Sequence, residues 1–174
     1  MRLTPVMQRY IVHWGEMGTR WGLNRSVAQI HALLYLSPEP LHADEIAETL
    51  GIARSNVSVG LKELLSWNLV NVTQTLGDRR DFFVAQRDPW EVVRVIVEGR
   101  KRRELDPTVT FLKQCAAELE SDGETPASVK AQITGQLEFM ETLMGWYESI
   151  KVLPRKTLLK MMRMGQRIAR VIGD

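Results

Sequence analysis

A cluster of short polar side chains distinguishes the segment 51–64, which reads GIARSNVSVGLKEL. An ordinary solvated helix face favours Glu, Lys and Gln, because these residues form helices better than Ser or Asn. Short hydroxyl and amide groups beside two cations can make hydrogen bonds to a partner at close range. We therefore predict contact with another molecule at Arg54, Ser55, Asn56, Ser58 and Lys62.

Residue types that usually perform catalysis are scattered through the chain. His13, His31 and His42 lack metal-ligand spacing, and the single Cys115 has no histidine near it in sequence. The sequence contains no HExxH, GxSxG or CxxC motif and no glycine-rich phosphate loop. It predicts a binding protein rather than an enzyme, with no catalytic residue, metal site or cofactor.

Positive charge is concentrated in blocks, although the net charge of the 174 residues is only +2. Residues 54–103 carry ten basic and six acidic side chains, residues 104–150 two and nine, and residues 151–174 seven and one. No apolar run approaches the roughly 20 residues of a membrane span, and the N-terminus lacks a signal-peptide core. Together with the single cysteine, these features predict a cytoplasmic protein without membrane contact.

Two short helices and a hairpin are predicted around the polar segment. In LHADEIAETLG, a short apolar face precedes Gly51, which can end a helix in the left-handed conformation. Residues 70–75 and 81–85 then favour two strands around a basic tip at 76–80. The second helix has apolar residues at helical spacing and ends near a second left-handed cap: Val57, Leu61, Leu64, Leu65 and Asn68.

Longer helices are predicted on both sides of this unit. One begins near Asn24 and ends before residues 37–40; others begin near Pro107, Pro126 and Pro154. Two helices carry apolar stripes at spacings of three and four, which require a packing partner. The stripes are Leu3, Met7, Tyr10, Trp14, Met17 and Trp21, then Ile133, Leu137, Met140, Met144 and Tyr147, and the final helix adds Ile168 and Ile172.

The run ADEIAETLGIARSNVSVGLKELLSWNLV, followed by LGDRRDFF, resembles the DNA-binding core of the MarR superfamily over about residues 41–85. The whole chain with its helical tail is similar to the GbsR-type branch. The resemblance implies a mainly α fold with a small β-hairpin wing: a winged helix-turn-helix at 24–88, an N-terminal dimerisation helix at 1–23 and a helical connecting and dimerisation region at 89–174. The dimerisation residues would be Met7, Tyr10, Trp14, Met17, Trp21, Met140, Met144 and Tyr147.

The resemblance also assigns roles on the recognition helix, which would enter a major groove. Asn56 would pair with adenine, while Ser55 and Ser58 would reach a base edge or a phosphate. Lys62 and Arg54 would each contact a phosphate or a guanine, Arg54 with help from the helix dipole.

The hairpin tip is similar to the family's Asp-x-Arg arrangement at Asp78, Arg79 and Arg80. A carboxylate can hold one guanidinium through a bidentate pair and leave the other to reach the minor groove or a phosphate. Arg80 is our first choice for insertion. A polar tip without a partner is the alternative, because Gly-Asp is common turn chemistry.

Departures from the family pattern lie at the helix starts. We expect His42 to keep only the Glu45 half of a capping box and Ala53 to leave the recognition helix without a side-chain cap. Val59 stands where a polar residue is usual, so either it contacts a thymine methyl or this face of the helix is less engaged with DNA. Gly60 is predicted to face the preceding helix and permit close packing.

The sequence therefore predicts a bacterial transcriptional regulator, a repressor, that binds double-stranded DNA as a homodimer on a roughly palindromic operator and responds to a small-molecule effector. The alternative is a winged-helix protein-interaction module without sequence-specific DNA binding. The basic run 100–103 could grip phosphates or be a solvated helix face. A cation-binding cage at Trp14, Trp21, Trp146 and Tyr147 competes with a role of these rings in the core or the dimer interface.

Overall fold

The computed structural model describes the backbone of residues 1–172 and the side chains of residues 1–165. The predicted Ile168 and Ile172 side chains lie outside this part. The chain forms two compact units, Met1–Gly99 and Arg100–Asp174. Its helices are α1 (Pro5–Arg20), α2 (Arg25–Leu36), α3 (Ala43–Leu50), α4 (Arg54–Ser66), α5 (Pro89–Arg100), α6 (Asp106–Ser121), α7 (Ala127–Lys151) and α8 (Arg155–Ile172).

A small antiparallel sheet completes the first unit, which confirms a mainly α fold with a β-hairpin wing. The hairpin consists of β2 (Val70–Thr73) and β3 (Phe82–Ala85), and a short strand β1 (Leu41–His42) pairs with the other edge of β3. The sequence analysis did not predict β1, because two residues carry no recognisable alternation. This strand ties the start of α3 to the end of β3 nearest the hairpin tip.

The ends of α3 and α4 follow local sequence signals. Gly51 ends α3 at φ 63°, and Asn68 follows α4 at φ 56°, so both predicted left-handed positions are confirmed. Ala53 leaves α4 without a side-chain cap, also as expected. Only Gly51, Ile52 and Ala53 separate α3 from α4, which fixes a tight helix-turn-helix.

The prediction of half a capping box at His42 is wrong. Glu45 Oε2 accepts from the His42 backbone N–H at 2.9 Å, and His42 Nδ1 lies 3.4 Å from the Glu45 backbone nitrogen. An imidazole nitrogen thus stands where a Ser or Thr hydroxyl would stand in a standard box. Both halves of the box are present in the geometry, although the side-chain half is long.

The core of the first unit is built around α2. The least exposed large side chains are Ile30, Leu33, Leu34, Ile46, Val57 and Val70. At Gly60 a methyl group would lie 2.6 Å from Ile30 Cδ1, so α4 crosses α2 at close range. The predicted packing role of Gly60 is therefore right, but its neighbour is α2 rather than the preceding helix α3.

The second unit is described by its own helices. Residues Lys101–Leu105 form a π-helical turn that leads into α6, and α6 packs against α7. Among its described side chains, only Leu112 is fully buried, and α7 has no buried residue. No helix within residues 1–172 is both long and apolar enough to cross a membrane.

Candidate nucleic-acid interface

The α4 surface divides into a buried and an exposed face. Val57, Leu61 and Leu64 point into the core, whereas Ser55 and Asn56 are exposed. The polar side chains of α4 therefore face away from the core, as the helical spacing predicts. Lys62 is exposed and Ser58 is half-buried, while Val59 is 64% exposed, so an apolar side chain sits on the same outer surface.

Arg54 is held by two partners at the start of α4. Its Nε donates to Asp44 Oδ1 at 2.7 Å, and its Nη1 donates to Ser58 Oγ at 2.9 Å. Asp44 belongs to the first turn of α3 and was not among the predicted site residues. The two arginine contacts fix the guanidinium between the helices instead of leaving it free in solvent.

At the tip of the wing, Asp78 holds Arg80 and not Arg79. Asp78 accepts from Arg80 Nε at 3.0 Å with both carboxylate oxygens, from Arg80 Nη2, and from the Arg80 backbone N–H at 3.0 Å. The hydrogen bonds from Arg80 lower the pKa of Asp78 to about 2, and the same pair raises the pKa of Arg80. The carboxylate is therefore charged throughout the physiological range, and Arg79 is exposed beside it.

His42 connects the wing to the helix-turn-helix. Its Nε2 lies 2.8 Å from Arg80 Nη1, and its ring meets Phe82 edge-on with centroids 5.7 Å apart. The Arg80 guanidinium also lies over the Phe82 ring, 5.5 Å from its centroid. Sequence reasoning flagged His42 only as an unusual cap, since its contact with Arg80 spans 38 positions.

A groove of 330 Å³ runs between α4 and the wing. It brings together four predicted site residues, Arg54, Ser58, Lys62 and Arg80, with His42 at one side. Ser55 and Asn56 project elsewhere on α4, and Asp78 and Arg79 lie at the wing tip outside the groove lining. The groove lining also includes the carboxylates of Asp44 and Asp81, so its three cations leave a net positive charge that suits a phosphate backbone. The exposed amide and hydroxyl of α4 suit base edges.

The basic run at 100–103 is partly paired within the second unit. Arg100 contacts Glu104 at 3.2 Å, and Lys101 contacts Asp106 at 2.8 Å and Glu148 at 3.4 Å. These carboxylates raise the pKa of Lys101, the Asp106 hydrogen bond most strongly. Arg100 and Lys101 therefore already have acidic partners.

Comparisons with known proteins agree with this architecture. Residues 21–81 match the model of the MarR family. The chain is 25% identical over 136 residues, 76% of its own length and 75% of the relative's, to the HTH-type transcriptional repressor GbsR of Bacillus subtilis (strain 168). A crystal structure of a transcriptional regulator superposes with a TM-score of 0.62 at 15% identity, over 84% of this chain and 96% of that one. The chain therefore has a winged-helix fold, and its residues 21–81 are similar to the MarR family.

Proposed function

We propose that this protein is a cytoplasmic repressor that binds a roughly palindromic operator as a homodimer. The observation that carries the proposal is the groove between α4 and the wing, where the three cations Arg54, Lys62 and Arg80 outnumber the two carboxylates in the same lining. The exposed outer face of α4 beside it is polar at Ser55 and Asn56. Cations flanking a polar helix face form the combination that a DNA duplex requires.

Sequence reading is assigned to the exposed face of α4. Asn56 can make a bidentate pair with adenine, and Ser55 can donate to a base edge or a phosphate. Val59 offers a methyl contact for thymine from the same surface. Arg54 and Lys62 then hold the backbone, so the helix provides both specificity and affinity.

The wing supplies the second contact. Arg80 is held by Asp78, and Arg79 is exposed next to it. A guanidinium fixed by a carboxylate loses less side-chain entropy on binding than a free one. We propose that Arg80, at the edge of the protein groove, contacts the minor groove of the DNA and that Arg79 contacts a neighbouring phosphate.

Dimerisation is proposed because the second unit has little core of its own. Met140, Met144 and Tyr147 of α7 are half-buried, while its neighbours Phe139 and Trp146 are exposed. So much apolar helix surface calls for a covering partner, and a second copy of the chain provides it by symmetry.

The predicted N-terminal stripe has a mixed position. Tyr10 and Trp14 pack partly against the core of their own unit, Met7 and Met17 are half-buried, and Trp21 is 47% exposed. We propose that the exposed part of this stripe contacts the second copy of the chain in the same dimer. The stripe therefore serves intrachain packing and dimerisation together.

The proposal includes repression and control by a small molecule. The relative in Bacillus subtilis is named a transcriptional repressor, which supports the direction of regulation proposed for this chain. A ligand that prefers one spacing of the two recognition helices would change operator affinity by its differential binding. The Tyr147 ring, one member of the suggested cage, already lies 5.8 Å from Lys151 Nζ.

Selection of bound duplexes from fragmented genomic DNA tests the proposal. We expect a site with two half-sites about 10 base pairs apart, one turn of the duplex. Its affinity should fall steeply between about 50 and 200 mM salt, because phosphate contacts release counterions. Failure to enrich any specific duplex at moderate salt would contradict the proposal and leave the protein-interaction module as the better interpretation.

A further inference from the structure

His42 stands between two charged clusters, the first turn of α3 and the tip of the wing. Its Nε2 lies 2.8 Å from Arg80 Nη1, and its Nδ1 faces Asp44 and the Glu45 backbone. We propose that His42 is a positioning residue for DNA binding: it holds Arg80 in place only while its imidazole is neutral, and a proton on the ring releases the arginine. The inference rests on the proposed DNA-binding function.

Arginine fixes the hydrogen-bonding role of the imidazole. A guanidinium has N–H donors and no acceptor, so a 2.8 Å contact with Arg80 Nη1 requires a lone pair on His42 Nε2. A neutral imidazole then carries its proton on Nδ1. A neutral ring has one lone pair, and we assign it to the shorter contact, with Arg80 at 2.8 Å rather than with the Glu45 backbone N–H at 3.4 Å. The Nδ1 proton then lies beside Asp44, whose Oδ2 is 3.8 Å from Nδ1.

The held guanidinium still has free donors. Of its five N–H groups, the Nε–H and one on Nη2 are directed at Asp78, and one on Nη1 is directed at His42. One N–H therefore remains on each terminal nitrogen. Arg80 is fixed in direction by two neighbours and can still donate to a phosphate or a base edge.

Protonation reverses the preference of the ring. An imidazolium has two N–H donors and no acceptor, so it cannot receive a hydrogen bond from Arg80 and repels its charge. It has another partner in reach, because Glu45 Oε2 lies 3.4 Å from Nε2. The charged groups that face the ring or share its groove are Asp44 and Glu45 of α3, Asp78, Arg80 and Asp81 of the wing, and Arg54 and Lys62 of α4.

The pH dependence that follows runs against the general trend. Lowering the pH makes a protein more positive, which ordinarily strengthens its attraction to DNA phosphates. Loss of the Arg80 contact weakens binding over the same range, because the side chain must be ordered again on the operator. The sign of the pH effect at His42 is thus a specific signature.

Matched substitutions at one position separate positioning from helix capping. The His42→Gln side chain reaches the location of Nε2 with an oxygen acceptor that does not titrate. The His42→Asn side chain places its oxygen near Nδ1, where it caps α3, but is too short to reach Arg80. His13→Gln, the same change at an exposed histidine of α1, is the control.

Operator affinity is measured by fluorescence anisotropy at about pH 8 and about pH 5.5, a range in which imidazoles titrate. On acidification, wild type and His13→Gln should lose about fivefold more operator affinity than His42→Gln, because ordering one side chain costs a free energy of this size. His42→Asn should bind about fivefold more weakly than wild type at pH 8 without loss of thermal stability. Equal pH profiles in wild type and both His42 variants would overturn the inference while DNA binding stands.

A readout without DNA tests the contact itself. Nitrogen-15 NMR of labelled histidine should find the His42 proton on Nδ1 at about pH 8, and Arg80→Ala should return it to Nε2, the form favoured in water. A proton on Nε2 in the wild type overturns the inference. A wild type that binds no duplex specifically at pH 8 overturns the proposed function instead, and the NMR result still decides the His42–Arg80 contact.

Discussion

The two compact units differ in how much of their apolar surface is covered. In Met1–Gly99, side chains such as Ile30 and Leu33 are fully buried. In the described part of the second unit, Leu112 alone is buried, and Phe139 is 65% exposed. The candidate DNA site therefore lies on a unit with a well-buried core, whereas the described helices of the second unit leave apolar surface exposed.

This difference explains where precise geometry is found. Arg54 and Arg80 are both held by residues of the first unit: Asp44 of α3 holds Arg54, whereas His42 of β1 and Asp78 of the wing hold Arg80. Such contacts can hold a side chain in place only if the backbone beneath them is rigid. We infer that the first unit orients the DNA contacts and that the second sets the distance between two copies.

The largest expected difference between the units comes from deleting one leucine side chain in each. Leu33→Ala should lower the free energy of unfolding by about 2–5 kcal/mol, because Leu33 is fully buried in the α2 core. Leu143→Ala, on the half-open surface of α7, should instead weaken dimerisation. Urea unfolding and sedimentation of both variants check this; equal loss of unfolding free energy with unchanged self-association would contradict the comparison.

A second test uses the buried imidazole of α2. Burial lowers the pKa of His31 from 6.5 to about 4, and its Nε2 has no hydrogen-bond partner among the described residues. The unfolded chain therefore binds a proton more readily, so stability is full above pH 6.5 and declines by up to about 3 kcal/mol as the pH falls towards 4. His31→Phe should remove this part of the pH dependence in urea titrations; an unchanged slope would place His31 in solvent.

Glycine-to-alanine changes give a smaller contrast. At Gly18 a methyl group would lie 2.4 Å from Ala28 Cβ, so Gly18→Ala should cost about 1–3 kcal/mol by forcing α1 away from α2. At Gly145 of α7 an added methyl group would have no atom of another described element within 4 Å, so Gly145→Ala should raise helix stability by about 0.5–1 kcal/mol. Thermal unfolding measures both. If Gly145→Ala instead dissociates the dimer, the partner helix must approach at that glycine.

Local signals made the helix-turn-helix predictable. Gly51 and Asn68 both adopt the left-handed conformation that their residue types favour, and the apolar spacing of Val57, Leu61 and Leu64 matches their burial. These features depend on neighbours within a few positions. A sequence without relatives beside it therefore suffices to place α3, α4 and the hairpin.

Contacts between distant residues could not be read in the same way. Strand β1 exists only because Leu41 pairs with Phe83, and His42 meets Arg80 across 38 positions. Nothing in the periodicity of either segment indicates these partners. For the same reason, the sequence did not indicate that Asp44 holds Arg54, and the prediction placed Gly60 against the wrong neighbouring helix.

Operator binding by single-site variants tests the central claim most directly. With the operator recovered by selection, Arg80→Ala and Asn56→Ala should each lose about tenfold in affinity or relax sequence preference, as expected for groups that touch DNA. Arg9→Ala, which removes an exposed arginine of α1, is the control for charge alone. Wild-type affinity and sequence preference in both Arg80→Ala and Asn56→Ala would contradict recognition by α4 and the wing.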